Sequence, residues 1–220
     1  MFFFTKPRSS RTVHHYHDED QKESNKCINI QENCVSFTVW RKSLVFSCKG
    51  FTVIGSDGSL VYRVDNYTGR PDRIVLMDGP GHPIFTISRR KKLGIAENFW
   101  LVYEGEVEEK SNKTSKEPIF CVRKNNSIMK SSKPSLLACV YRGSCEKRCV
   151  YTIEGSYENR SCKILDESKR VVSEIKKKEA ITNGGGAFTF GLEVFDLIVR
   201  IGVDSTFAMA LVLLLDQMFT

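Results

Sequence analysis

The chain has 220 residues, 41% of them hydrophobic and 10% aromatic, and carries a formal net charge of +7, with a pI near 9.0. That apolar share is enough for a packed core, which excludes a wholly disordered chain, and the length suits one large β-domain as well as two small ones. The positive balance favours an anionic partner such as a phospholipid head group or nucleic acid, although the same charge also serves simple solubility.

Residues 1–34 are polar, His-rich and without periodicity, and are expected to form a flexible N-terminal arm. The opening MFFFTKPRSSRTVHHYHDED has no apolar core and no small-residue cleavage site of a secretory signal, and no Met-Gly start for myristoylation. On that reading the eight cysteines meet a reducing compartment and stay thiols. The sequons at Asn66, Asn112, Asn125 and Asn159 then go unused.

From Val35 onward, short alternating runs take over. Ser36 to Trp40 alternates Phe37 and Val39 with polar neighbours, the period of a half-buried strand. Phe51 to Ile54 and Leu60 to Val64 flank the turn Gly55-Ser56-Asp57-Gly58-Ser59, and Ile74 to Met77 and Pro83 to Ser88 flank Asp78-Gly79-Pro80-Gly81-His82. Phe99 to Glu104, Ile119 to Arg123, Leu136 to Tyr141, Val150 to Glu154, Cys162 to Leu165 and Val171 to Lys176 continue the series. Phe188 to Phe190 and Val194 to Ile201 complete it. Evenly spaced short strands predict a sandwich or barrel. The segment Glu106 to Pro118 reads as a loop too charged to pack. The stretches Ile54 to Val64 and Leu165 to Ile175 share a spacing that hints at two similar halves.

The segment Ser205 to Thr220 is the one clear helix. Asp204 and Ser205 are suited to cap it. It is apolar around most of its circumference, so it must be enclosed. At roughly 24 Å it is short for a bilayer span, and Asp216 and Gln217 interrupt it. It is therefore expected to fill the axis of a β-barrel, with Phe207, Met209, Leu211, Leu213, Leu214 and Met218 in the core.

Thr38-Val-Trp-Arg-Lys-Ser43, Cys48-Lys-Gly-Phe-Thr-Val53, Leu60-Val-Tyr-Arg-Val-Asp-Asn66, Ile74-Val-Leu-Met-Asp78, Pro83-Ile-Phe-Thr-Ile87, Trp100-Leu-Val-Tyr-Glu-Gly105, Gly202 to Leu211 and Asp216-Gln-Met-Phe219 together resemble the plant LURP-one-related proteins. The resemblance covers about Val35 to Thr220. It implies a mainly β, tubby-like fold: a twelve-stranded antiparallel barrel around a hydrophobic C-terminal helix, shared with tubby proteins and phospholipid scramblases. It also implies a membrane-tethered, phosphoinositide-binding regulatory role in plant defence. Scramblases carry an acidic calcium segment and palmitoylated cysteines near the helix. This chain has no comparable Asp-rich loop and no cysteine after Cys162, so lipid scrambling is not expected.

Enzyme signatures are absent: there is no phosphate-binding Gly-rich loop, no zinc-protease helix and no nucleophile elbow. Gly184 to Gly186 lies between strand-like runs and opens no helix. Cys139, Cys145 and Cys149 lack the second pair or histidine of a zinc site. His14, His15 and His17 lie in the arm beside acidic residues, and His82 sits in a turn, so no metal, cofactor or catalytic residue is expected.

Arg89, Arg90, Lys91 and Lys92 follow one predicted strand, and Lys176, Lys177 and Lys178 follow another. Each cation near an anionic membrane contributes about 1 kcal/mol, so these runs are the candidate lipid-binding residues. They equally suit solvated strand ends that blunt edge pairing. Direct nucleic-acid binding is not expected, since no recognition helix is free and no aromatics interleave the clusters.

The combined expectation is a monomeric, non-enzymatic protein without a transmembrane span. It is placed in the cytoplasm, with plasma-membrane attachment and nuclear entry left open. Its partners are anionic phospholipid head groups or signalling proteins; a protein-interaction scaffold without lipid binding is the alternative.

Overall fold

Alternation along the sequence becomes two faces of a wall. On β1 (Cys34–Trp40), Phe37 and Val39 are buried in the core while Trp40 is exposed, as a period of two requires. The computed structural model describes residues 33–66, 72–91, 98–107, 116–125, 135–143, 148–181 and 187–220. Further strands follow at β2 (Lys49–Gly55), β3 (Leu60–Asn66), β4 (Arg73–Asp78), β5 (Pro83–Lys91), β6 (Asn98–Glu104), β7 (Phe120–Lys124) and β8 (Leu136–Arg142). After these come β9 (Cys149–Ser156), β10 (Ser161–Asp166), β11 (Val171–Lys177), β12 (Glu179–Ile181), β13 (Ala187–Thr189), β14 (Val194–Arg200) and the helix α1 (Ser205–Phe219).

Twelve strands close a barrel in the order β1-β14-β11-β10-β9-β8-β7-β6-β5-β4-β3-β2. Every neighbouring pair is antiparallel. Closure removes the unpaired edges that an open sheet would expose. The run Phe188 to Phe190, expected as one strand of this wall, is placed otherwise. Ala187–Thr189 pairs with Glu179–Ile181 in a separate two-stranded ribbon, because β14 pairs directly with β11 and leaves no place between them.

The barrel is filled by α1. Eleven of its fifteen residues are buried, including Phe207, Met209, Leu211, Leu213, Leu214 and Met218, so no face is left for water. Asp204 is the N-cap, its carboxylate accepting from the Thr206 N–H at 2.8 Å. Tyr62, near the start of β3, is hydrogen-bonded to the hydroxyls of Ser205 at 2.8 Å and Thr206 at 3.1 Å.

The strand directions then fix two rims. The helix enters at the rim where β14 ends. It exits at the rim where β1, β3, β5, β7, β9 and β11 end, as the bond from Lys124 on β7 to the Met218 carbonyl shows.

The resemblance between Ile54–Val64 and Leu165–Ile175 has a local cause. In one turn the Gly55 N–H donates to the Ser59 carbonyl at 2.9 Å, and the Gly58 N–H to Gly55 at 3.0 Å. In the other, Asp166 donates to Arg170 at 3.0 Å and Lys169 to Asp166 at 3.0 Å. Gly58 and Lys169 both have positive φ, the left-handed position of a bulged hairpin. The β4–β5 turn, Asp78 to His82, repeats the pattern. A shared turn, made three times, accounts for the spacing without two matching halves.

The segment after β6 is also more ordered at its start than its charge suggests. The Thr86 hydroxyl donates to the Gly105 carbonyl at 2.7 Å and accepts from the Val107 N–H at 3.2 Å. Val107 thereby packs with Phe99, Leu101, Tyr103, Cys121 and Tyr141 in a second apolar cluster, separate from the main core.

Candidate functional site

A helix C-terminus carries unpaired carbonyls and a partial negative charge. α1 has no basic residue in its last turn, so the barrel supplies the cations. Lys124 donates to the Met218 carbonyl at 2.6 Å and lies 4.2 Å from the Phe219 ring centre. Arg41, just past β1, places Nε 2.8 Å from the buried carboxylate of Asp216. The same carboxylate accepts from the Tyr157 hydroxyl at 3.2 Å and the Thr220 hydroxyl at 3.2 Å. Burial first, and then the Asp216 charge, push the Tyr157 hydroxyl far above its ordinary pKa, so it remains a donor. Arg160, at positive φ, is buried between the rings of Tyr157 and Phe195, 4.1 and 4.6 Å from their centres. It donates to the Leu192 carbonyl at 2.8 Å.

The two basic runs, far apart in sequence, both reach this exit rim, since β5 and β11 end there. They do not emerge as loose clusters. β5 continues through Lys91, pairing Arg89 with Trp100 and Arg90 with Phe99, so alternation divides the run. Arg89 turns inward beside the buried Trp100, its guanidinium 5.4 Å from the indole centre, and Arg90 is exposed. Arg89 Nε and Trp100 Nε1 are buried without a hydrogen-bond partner among the described residues. The Lys91 side chain and Lys92 lie outside the described residues.

In the second run Lys176 pairs with Glu174 at 2.5 Å, while Lys178 binds Asp196 at 2.7 Å and the Thr38 hydroxyl at 3.0 Å. Lys177 is exposed. With Lys42 and Lys49, also exposed at this rim, it makes no ion pair among the described residues.

The opposite rim interleaves its charges. Asp78 pairs with His82 at 3.0 Å, Asp166 with Arg170 at 2.8 Å and Glu167 with Arg148 at 3.0 Å. A cleft of about 370 Å³ there is bordered by both signs, Arg142 and Arg170 against Asp166 and Glu167. Among the described residues, Lys42, Lys49 and Lys177 are exposed cations without an ion pair at the helix-exit rim, while Arg142 and Arg200 hold that position at the opposite rim.

Sequence patterning did not single out the apolar residues of this rim. Trp40, Leu44 and Phe46, at or just after the end of β1, and Phe190 and Leu192, just before β14, are exposed. The two segments are neighbours, the Arg41 N–H donating to the Glu193 carbonyl at 2.8 Å. The signal was present as the apolar run Leu44-Val45-Phe46 between Lys42 and Lys49, a pattern indistinguishable from a short strand.

The described cysteines divide into two kinds. Cys34, Cys48, Cys139, Cys149 and Cys162 are free thiols. Cys121 is disulfide-bonded, which corrects the expectation that all remain reduced; its buried place in the second apolar cluster could not be read from spacing. Among the described residues no group of three His, Cys, Asp or Glu is placed to hold a metal ion, and no helix is long and apolar enough to cross a membrane.

The architecture and motif order match known proteins. The family model described as LURP-one-related matches residues 35–216. The chain belongs to the LURP-one-related family. Among its relatives, Protein LURP-one-related 17 of Arabidopsis thaliana is 45% identical, covering 100% of both chains. Protein LURP-one-related 8 of the same plant is 49% identical over 84% of this chain and 87% of its own. An X-ray structure of a protein from Arabidopsis thaliana superposes with a TM-score of 0.56 at 24% identity, covering 84% of this LURP-one-related chain and 90% of the other. At that identity the likeness speaks for the fold alone.

Proposed function

We propose that this LURP-one-related protein is a non-enzymatic module that docks on anionic phospholipid head groups through the helix-exit rim of its barrel. The observation that carries the proposal is the gathering of the exposed cations Arg90 and Lys177, one from each basic run, with Lys42 and Lys49 at one rim. Cations gathered on one side act together on a charged membrane, each adding about 1 kcal/mol close to the surface. Arg89 and Trp100 add buried donors without an acceptor among the described residues, and buried donors call for acceptors; phosphate oxygens would serve. Kinship with tubby-like and scramblase-like lipid binders, and a regulatory role in plant defence, are part of this proposal and draw their support from the family resemblance.

Co-sedimentation with liposomes tests the proposal. Binding to phosphoinositide-containing vesicles and not to neutral ones, weakening as salt rises, is the expected result. The variant Arg90→Glu/Lys177→Glu is expected to lose most of that binding. No sedimentation with anionic vesicles at low salt overturns it.

A further inference from the structure

Seven large apolar side chains are exposed among the described residues, and five of them, Trp40, Leu44, Phe46, Phe190 and Leu192, lie at the helix-exit rim. Exposed apolar residues scattered singly need no explanation. These are gathered in two adjacent segments, and Phe46 is 95% exposed.

The segment that carries Leu44 and Phe46 is held in place. Between them and the barrel, Ser43 is buried, bonded to the Asp65 carboxylate and accepting from the Val45 N–H at 2.9 Å. Asp65 is fixed in turn by Arg63 at 2.5 Å. The Thr52 hydroxyl ties down the Lys42 carbonyl at 2.7 Å, and Cys48 closes the loop on Val45 at 3.2 Å. Gly50 passes so close to β3 that a Cβ there would fall 1.7 Å from the Val64 carbonyl oxygen. With the base of the loop anchored, its apolar tips Leu44 and Phe46 face outward.

We infer that Leu44 and Phe46 enter the acyl-chain boundary of an anionic bilayer, with Trp40 at head-group depth, while Lys42 and Lys49 contact the phosphates. This rests on the lipid-docking reading given above and specifies how that docking is made. The choice of a membrane as the occupant rests on charge. The prongs are flanked by Arg41, Lys42 and Lys49, and Lys42 Nζ lies 5.3 Å from the Trp40 ring centre. Cations beside Trp, Phe and Leu are the composition of interfacial anchors, in which aromatic rings sit at the head groups and apolar side chains go about 5–10 Å deeper.

The two tryptophans of the chain make the test direct, because Trp40 is 36% exposed and Trp100 only 3%. The full chain is mixed with phosphatidylcholine vesicles containing a phosphoinositide, with and without brominated acyl chains. Trp40 emission is expected to shift to the blue and to be quenched by the brominated lipid. The Trp40→Phe variant is expected to bind and lose that quenching. Leu44→Ser/Phe46→Ser is expected to weaken vesicle binding about 100-fold or more, the equivalent of withdrawing two apolar side chains from hydrocarbon, with the salt dependence retained. Full binding by the double variant without quenching of Trp40 overturns insertion and leaves electrostatic docking intact. No binding to either kind of vesicle overturns both and assigns the surface to a protein partner.

Discussion

Arg41 Nε lies 2.8 Å from the carboxylate of Asp216, joining the chain just past β1 to the last turn of the central helix. The pair spans the barrel mouth, and its carboxylate side is buried. Replacing Asp216 by Ala leaves the Tyr157 hydroxyl without its acceptor and Arg41 with only Glu193 among the described residues, at 3.4 Å. Breaking a buried pair from one side costs ~3–5 kcal/mol, and the partial exposure of Arg41 reduces this to about 2–4. Urea unfolding of Asp216→Ala should show that loss, and Asp216→Asn, which keeps an acceptor, a smaller one.

A charge placed at the centre of the helix has no such partner. Leu213 and Leu214 are fully buried, and a carboxylate there costs several kcal/mol against a total stability of about 5–15. Leu213→Asp and Leu214→Asp are expected to leave no cooperative unfolding transition by circular dichroism. A soluble mutant that melts cooperatively would mean that the helix is not enclosed.

Gly50 tests the anchoring of the β1–β2 loop by sterics alone. An added Cβ would overlap the Val64 carbonyl, so Gly50→Ala must push β2 away from β3. A loss of about 2 kcal/mol or more is expected. Thermal melts measure it, and a neutral result would mean that the two strands yield freely there.

Thiol chemistry should separate two cysteines. Burial raises the Cys162 thiol to about 12, with only partial relief from Arg160, whereas Cys149 borders a surface cleft with Arg148 and Lys169. In the native protein at neutral pH, iodoacetamide is expected to label Cys149 well before Cys162, since the thiolate is the nucleophile. Mass-spectrometric mapping over a time course gives the order, and equal rates would contradict it.

The Asp166 carboxyl is held below its ordinary 3.8 mainly by the Arg170 N–H, with the Arg170 side chain and the Ser168 N–H assisting against desolvation. The unfolded carboxyl binds its proton at higher pH than the folded one. Its stabilisation is therefore complete above 3.8 and is lost as pH falls through the lower folded value. Asp166→Asn should lower stability at pH 7, where that contribution is fully present, and converge on the parent protein below about pH 4, flattening the acid limb of the stability curve. Chemical denaturation across that range is the check.

The wall and its filling were legible because each rests on a local period. Phe37 with Val39 gives the strand face, and the unbroken apolar circumference of Phe207 to Leu215 demands enclosure. The Asp204 cap is a single-residue signal of the same kind. Pairing is not local, and that is where reading stopped. Phe188 looks like any strand residue until β14 is seen to take the place beside β11. The run from Arg89 to Lys91 looks like a free cluster until β6 extends alongside it and turns Arg89 toward Trp100. Leu44 and Phe46 have the spacing of a strand, and only the anchoring of Ser43 on Asp65 sets them outward. The sequence thus disclosed the charge of the candidate site but not its geometry.

The helix that fills the barrel is synthesised after all twelve strands that enclose it. At ~5–20 residues per second the growing chain spends roughly 10–35 s between the first strand and the start of the helix. Throughout that interval the inward faces of Val39, Leu76, Ile87 and Val140 have no axis to pack on. A polypeptide that stops before Ser205 therefore carries every barrel strand without its axis, its apolar faces open to water and prone to aggregation. Completion of the last helix is what turns the assembled strands into a folded protein.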